Sequence, residues 1–226
     1  MAGGETQLNG LQIKWINHST VLLRSPSLVV YIDPFSKVLK GDEEAADLII
    51  STHPHFDHFD PEAINRLLKP ETEVVAKRGS AVEGLKAGAG KVHEIDVGDE
   101  LTVKGVRIKA VHAYNEHRFR APGEPFHPKG FGMGVILELE GKKLYYAGDT
   151  DFIPEMRELT QEGIDLAFLP IGGTYTMDAP EAVQAAQAIK PRVVVPIHYN
   201  FLPETRADPE RFKQELERAG IEVRIL

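Results

Sequence analysis

Residues 11–15 alternate apolar and polar, with Leu11, Ile13 and Trp15 set against Gln12 and Lys14, the period of a half-buried strand. Residues 20–24 and 28–32 read as two further strands joined by Ser25-Pro26-Ser27, and Asp33-Pro34 closes the second of them. Leu48-Ile49-Ile50-Ser51 is a short continuous apolar run, and 73–76 and 92–95 are strands of the same kind. Residues 101–104 and 106–112 form a hairpin around Gly105, and 131–140 and 143–147 form another across Gly141-Lys142. The runs at 165–169 and 192–197 are apolar on both faces, as buried parallel strands are, and 221–226 closes the chain as a strand. Helical spacing covers 61–69, with Ile64, Leu67 and Leu68 on one face, and 179–190, with Ala182, Ala186 and Ile189 on one face. Helices are also expected at 80–87, ended by Gly88, at 154–163, and from Pro209 to Gly220 behind an Asp208 cap, with a helical turn at 43–47. Residues 114–130 hold Pro122, Pro125 and Pro128 with Gly123 and Gly130, show no apolar period, and read as a long loop. No linker, repeat or low-complexity tract interrupts the chain. The pattern is an α/β protein of one domain, residues 1–226, with stacked sheets covered by helices.

Composition narrows the chemistry more than the fold. Apolar residues make up 42% and charged residues 27% of 226 positions, an ordinary globular mixture. A net charge of −8 argues against nucleic acid or a membrane surface as a partner drawn by overall field. There is no cysteine, so any metal site uses nitrogen and oxygen ligands only. No apolar run approaches a membrane span, and Met1-Ala2-Gly3-Gly4-Glu5 does not read as a signal peptide; the expectation is a cytoplasmic protein.

The chemistry-bearing stretch is Thr52-His53-Pro54-His55-Phe56-Asp57-His58-Phe59-Asp60, which follows the apolar run at 48 and precedes a helix that Asp60 caps and Pro61 begins. Imidazole and carboxylate are ligands for zinc and similar ions, and four such groups on one loop can serve two adjacent metals. Further ligands must come from elsewhere. His112 ends an alternating strand, Gly148-Asp149 follows the strand at 143, with Gly148 permitting a tight bend or close approach, and His198 follows the strand at 192.

Taken in order, His53-Pro54-His55-Phe56-Asp57-His58, His112, Gly148-Asp149-Thr150 and His198 resemble the motifs of the metallo-β-lactamase superfamily. Trp15-Ile16-Asn17-His18-Ser19-Thr20, Ile32-Asp33-Pro34-Phe35, Leu169-Pro170-Ile171-Gly172-Gly173 and Pro196-Ile197-His198-Tyr199-Asn200 resemble one branch of small metal-dependent hydrolases, which holds L-ascorbate-6-phosphate lactonase and N-acyl-phosphatidylethanolamine phospholipase D. The resemblance implies a four-layer αββα sandwich with two divalent metals, zinc first and manganese or iron as alternatives, at one edge between the sheets. It implies that His53, His55 and His112 hold one metal, that Asp57, His58 and His198 hold the other, and that Asp149 bridges both. A bridging hydroxide would attack a small anionic ester, lactone or phosphodiester, with Asp57 orienting or deprotonating it. Superfamily lactamases of the common zinc type carry a cysteine where Asp149 stands, so lactam hydrolysis is not expected. His18, Tyr175 and Asn200 are candidates for substrate contact. His117, Arg118, Arg120, His127 and Lys129 could grip an anion, but with Glu116 and Glu124 among them the long loop reads more readily as a solvated flap; His93 reads as structural. Relatives of this kind often assemble into homo-oligomers, and nothing in the sequence sets the number of copies. The competing class is a non-catalytic metal-binding or regulatory protein on the same fold, and retention of the whole ligand set argues against it.

Overall fold

The computed structural model describes residues 3–85 and 89–226. A first sheet has seven strands in sequence order: β1 (Glu5–Leu8), β2 (Leu11–Asn17), β3 (Thr20–Arg24), β4 (Val29–Ile32), β5 (Leu48–Ser51), β6 (Glu73–Lys77) and β7 (Lys91–Ile95). β1 to β4 are antiparallel, and β4 to β7 are parallel. The second sheet joins β8 (Glu100–Val103), β9 (Val106–Ala113), β12 (Gly132–Leu139), β13 (Lys142–Tyr146), β14 (Leu166–Pro170), β15 (Val193–Ile197) and β16 (Glu222–Val223). It too is antiparallel from β8 through β13 and parallel from β13 to β16. A small hairpin, β10 (Phe119–Ala121) with β11 (Glu124–Pro125), stands inside the long loop.

The alternation read in the sequence becomes the layering. Leu11, Ile13, Trp15, Val21, Leu23 and Ile50 point from the first sheet into a core shared with Val106, Ile108, Val135 and Leu137 of the second. β4 and β5 are buried on both faces, because Tyr31 and Ile49 meet Ala63, Ile64 and Leu67 of α1 (Pro61–Leu67) on the outside. α2 (Ala179–Ile189) and α3 (Pro209–Arg218) cover the other sheet through Ala182, Ala186, Phe212 and Leu216. The caps are those expected: Asp60 accepts from the amides of Glu62 and Ala63, and Asp208 from that of Arg211. The four-layer αββα sandwich is therefore present. No helix among the described residues is long and apolar enough to cross a membrane.

Some elements differ from the pattern. β1 is polar and gives no apolar signal; it forms because Asn9 (φ 47°) and Gly10 (φ 90°) turn the chain back onto β2. Residues 43–47 are not helical. The Glu43 carboxylate takes the amides of Lys40 and Gly41, and the amides of Ala46 and Asp47, which would close a helical turn, donate instead to Leu67 and Val29. Among the described residues of the expected 80–87 helix only Val82–Gly84 forms a 3₁₀ turn, and the expected helix end at 86–87 with its stop at Gly88 lies outside the described residues, as do Met1 and Ala2. Pro154–Glu162 is a 3₁₀ helix closed by Gly163, and the last strand is only Glu222–Val223.

Gly148 shows why the β13 rim tolerates one residue type. Its φ is 67°, and a Cβ there would lie 2.8 Å from the Met133 carbonyl oxygen. Gly148→Ala is expected to lower stability by about 1–3 kcal/mol, read as a reduced urea midpoint.

Candidate metal centre

The expected ligand residues follow the C-terminal ends of strands, where open parallel sheets place their ligands. The loop after β5 supplies His53, His55, Asp57 and His58; the segment after β13 supplies Asp149; the turn after β15 supplies His198. The turn between β2 and β3 brings His18, and the end of β4 brings Asp33. His18 (φ 52°), Asp33 (φ 45°) and His198 (φ 54°) all have left-handed backbones, a conformation uncommon for such residues and concentrated at functional sites.

Three overlapping groups of donors result. His53, His55 and His127 bring one nitrogen each within 4.8 Å of one another, Asp57, His58 and His198, with His18, form a second such group, and Asp149 forms a third with His53 and His58, one ring from each of the others. Asp149 thus lies between the first two. Its Oδ2 is 3.3 Å from both His127 Nε2 and His198 Nε2, and its Oδ1 is 3.3 Å from His58 Nε2.

Hydrogen bonding fixes which nitrogens carry lone pairs. Asp33 is fully buried, and a carboxylate can only accept. Its Oδ1 takes the Thr52 amide at 2.8 Å, and its Oδ2 takes the Thr52 hydroxyl and His58 Nδ1, each at 2.7 Å. His58 therefore donates from Nδ1 and turns Nε2 toward Asp149. Thr52 has spent its proton on Asp33, so its oxygen accepts from His53 Nδ1 at 3.1 Å and leaves His53 Nε2 with the lone pair.

Asp151 performs the same service for His127. Also fully buried, it accepts from Asn115 Nδ2 at 2.9 Å, from the amides of Glu116 and His117 at 2.7 Å and from Arg118 Nη1 at 2.6 Å. With its amino group on Asp151, Asn115 turns its oxygen to His127, accepting from the backbone amide at 2.9 Å and from Nδ1 at 2.8 Å. His127 Nε2 is thus also an acceptor.

The donor set fits cations. His55 Nδ1 is 3.1 Å from both His53 Nε2 and His127 Nε2, and one imidazole proton cannot satisfy two lone pairs. His58 Nε2 and His198 Nε2 are buried without a hydrogen-bond partner among the described residues, although carboxylate oxygens lie close. A metal among these atoms would turn each crowded lone pair into a bond.

His112 departs from expectation. Its side chain shares the face of Ala110 as the alternation implied, but β9 runs on to Ala113 and pairs His112 with Met133, which keeps it within the ladder. Its ring meets Tyr114 at 6.2 Å, and it joins neither donor group. His127 takes the expected place. The loop is accordingly no solvated flap around this residue: His127 is 2% exposed. Nothing periodic marks His127; the only local signal is a histidine between Pro125 and Pro128.

The other candidates separate. His18 Nε2 lies 2.9 Å from Asp57 Oδ2, and since the carboxylate accepts, His18 donates and orients Asp57. Tyr175 lines a pocket of about 320 Å³ over the donor groups and gives its hydroxyl to Glu204 at 3.0 Å. Asn200 does not line this pocket. Its amide exchanges two hydrogen bonds with the Ala207 backbone and holds the turn after His198. His93 pairs with Glu73 at 2.6 Å, far from the donor groups in the fold, in keeping with a structural role.

Electrostatics follow from burial and crowding. Burial, with the charge of His198, drives His18 down to about 4, and burial likewise drives His127 down to about 4 and His53 well below 6.5. Burial pushes His58 down as well, but Asp149, Asp33 and Asp57 outweigh it and hold the ring well above 6.5. For Asp57 burial acts upward, while His58 and the hydrogen bond from His18 hold the carboxyl below the usual carboxylate range. Asp149 is likewise held low against burial, by His198 and His58.

The beta-lactamase superfamily domain matches residues 12–198. The chain is 37% identical to a UPF0173 metal-dependent hydrolase of Thermus thermophilus over 221 residues, 96% of each protein. This protein belongs to the metallo-β-lactamase superfamily. Among solved structures, one from Parabacteroides distasonis superposes with a TM-score of 0.83 at 34% identity, covering 99% of this chain and 97% of that one. Igni18, a metallo hydrolase of Ignicoccus hospitalis, gives a TM-score of 0.78 at 28% identity over 96% and 94%. In this superfamily member the long loop is thus a structural part of the donor cluster.

Two predictions follow from this geometry. His127→Ala is expected to lower metal affinity at least tenfold while His112→Ala leaves it near wild type, as measured by titration with zinc against a chromogenic chelator. In metal-free protein, stability should fall as pH drops from 6.5 toward about 4, the window set by His18 and His127. Below 6.5 the unfolded chain protonates His18, His53, His55 and His127 more than the folded chain does, so the unfolded state binds more protons. His58 acts oppositely, its contribution being complete below 6.5 and lost as pH rises, but it is one group against four. Asp57 and Asp149 lose their contributions only at lower pH still. Urea midpoints at pH 7 and pH 5 in the presence of chelator read the difference.

Proposed function

We propose that this protein is a dinuclear metal-dependent hydrolase of a small anionic ester, lactone or phosphodiester. The observation that supports it most is the sharing of Asp149 between two histidine-containing donor groups. His53, His55 and His127 would hold one ion and Asp57, His58 and His198 the other, with Asp149 between. Sulfur-free ligands suit zinc, and also manganese or iron. Bound there, two divalent ions would acidify a water and stabilise negative charge at the attacked centre.

The remaining chemistry belongs to the chain. Asp57 lines the pocket, and its side chain keeps 19% exposure, the one carboxylate of the second group open to a substrate. His18 and His58 hold it ionised, so it can orient a water and accept its proton. Imidazoles are neutral ligands, and the two aspartates and a hydroxide would not cancel two divalent charges, so the centre favours an anionic substrate. The proposal includes a cytoplasmic setting and a small-molecule substrate, with neither nucleic acid nor membrane as partner, and self-association of the chain is compatible with it.

Elemental analysis after reconstitution is expected to give two metal equivalents, with turnover of bis-p-nitrophenyl phosphate or of a simple lactone choosing the chemistry. Asp149→Ala should lose at least one equivalent and nearly all turnover. Full occupancy and full rate in that variant would exclude the bridging role.

A further inference from the structure

The loop that delivers His127 carries three cations, and the structure uses two of them internally. Arg118 is pinned by Asp151 and Glu181, each at 2.6 Å, with Asp178 at 3.8 Å. Lys129 pairs with Glu155 at 2.7 Å and lies over the Tyr114 ring. Arg120 differs. Among the described residues it has no carboxylate within ion-pair distance. Its Nη2 donates to the Phe126 carbonyl at 3.0 Å, across the turn between β10 and β11, which braces the side chain against the hairpin. Arg120 lines the pocket over the donor groups, and its charge acts on His55 there.

The rest of that wall is apolar. Phe56, Phe126, Tyr175 and Leu202 form it, Phe126 and Tyr175 meeting edge to face at 4.9 Å. Phe56 is 69% exposed at the mouth, much more than a ring serving only the core. Apart from the histidines, Asp57 and Asp149, Arg120 is the only charged side chain among the described residues lining the pocket. A braced guanidinium with unspent donors beside apolar walls is a fork for an oxyanion, and its planar donors match a carboxylate in two-point contact.

We infer that Arg120 is a specificity-determining residue for a substrate bearing a second anionic group, separate from the scissile bond and joined to it by an apolar stretch that lies against Phe56 and Phe126. This rests on the hydrolase reading of the same site. It adds that the anion is read by the protein and not only by the metals.

The test compares mono-p-nitrophenyl succinate with p-nitrophenyl acetate on the metal-reconstituted protein, the two sharing a leaving group and differing in a remote carboxylate. Arg120→Ala is expected to lower the ratio of kcat/KM for succinate ester over acetate ester by about tenfold or more, through the KM of the succinate ester, since a hydrogen-bonded charge contact of this kind is worth that factor. Arg120→Lys should recover part of the loss. An unchanged ratio in Arg120→Ala would overturn the assignment. If the wild type turns over neither ester, the hydrolase reading fails for these esters, and calorimetry then reads the contact without turnover. A preference for succinate over acetate that falls about tenfold in Arg120→Ala supports Arg120; no preference in the wild type, or one that survives the substitution, refutes it.

Discussion

The buried carboxylate of Asp33 is the constraint on which the site depends. A charge so fully removed from water is costly unless donors surround it, and Asp33 has the Thr52 amide, the Thr52 hydroxyl and the His58 ring. Those contacts tie the end of β4 to the loop after β5. They also decide the protonation pattern of two imidazoles, His58 directly and His53 through Thr52. Replacing the carboxylate by a group that donates as well as accepts would leave both rings free to choose the wrong tautomer. Asp151 repeats the device on the other side of the cluster, acting on His127 through the amide of Asn115.

Both sheets have the same plan, antiparallel strands leading into parallel ones, and the donor cluster lies where their rims meet. The first sheet brings His18, Asp33 and the histidine loop. The second brings Asp149 and His198, and its long loop brings His127. The two halves are held together at this point by direct contacts as well as by the apolar core. The His198 amide donates to the His18 carbonyl, Trp15 Nε1 donates to the same oxygen, and the Trp15 ring stacks on Tyr199 at 5.0 Å. One carbonyl thereby holds two elements of opposite sheets beside the donors.

Much of this was legible in the sequence, for identifiable reasons. Strand periods of two gave the layers, and ligand-type residues at the ends of apolar runs gave His53, His55, Asp57, His58, Asp149 and His198, since a strand end is a local feature. His127 is not legible as a donor, because it reaches the cluster only through a loop whose shape is set by hydrogen bonds to Asp151, a residue 24 positions further along the chain. His112 misled for the complementary reason: alternation gives the face of a strand but not how far the ladder continues past a residue. Asp33 stood in a recognisable motif without a role, since its importance lies in hydrogen bonds to residues 19 and 25 positions away. β1 has no apolar period, and Asn9-Gly10, a strong hairpin signal, is the one local feature that marks it.

The division of donors between the two sheets has a thermodynamic consequence. No fragment of the chain holding only one sheet contains either all the proposed ligands of the second ion or Asp149, the proposed bridge, together with the histidine loop. Ion binding would therefore draw only on conformations in which both sheets are docked, and the ion's affinity would add to the free energy of docking as RT ln(1 + [M]/Kd). The ions would then act as a reversible rivet between the two sheets. Local fluctuations that part the rims would be suppressed in proportion to free metal, so the availability of metal around the protein would set its mechanical cohesion as well as its chemistry.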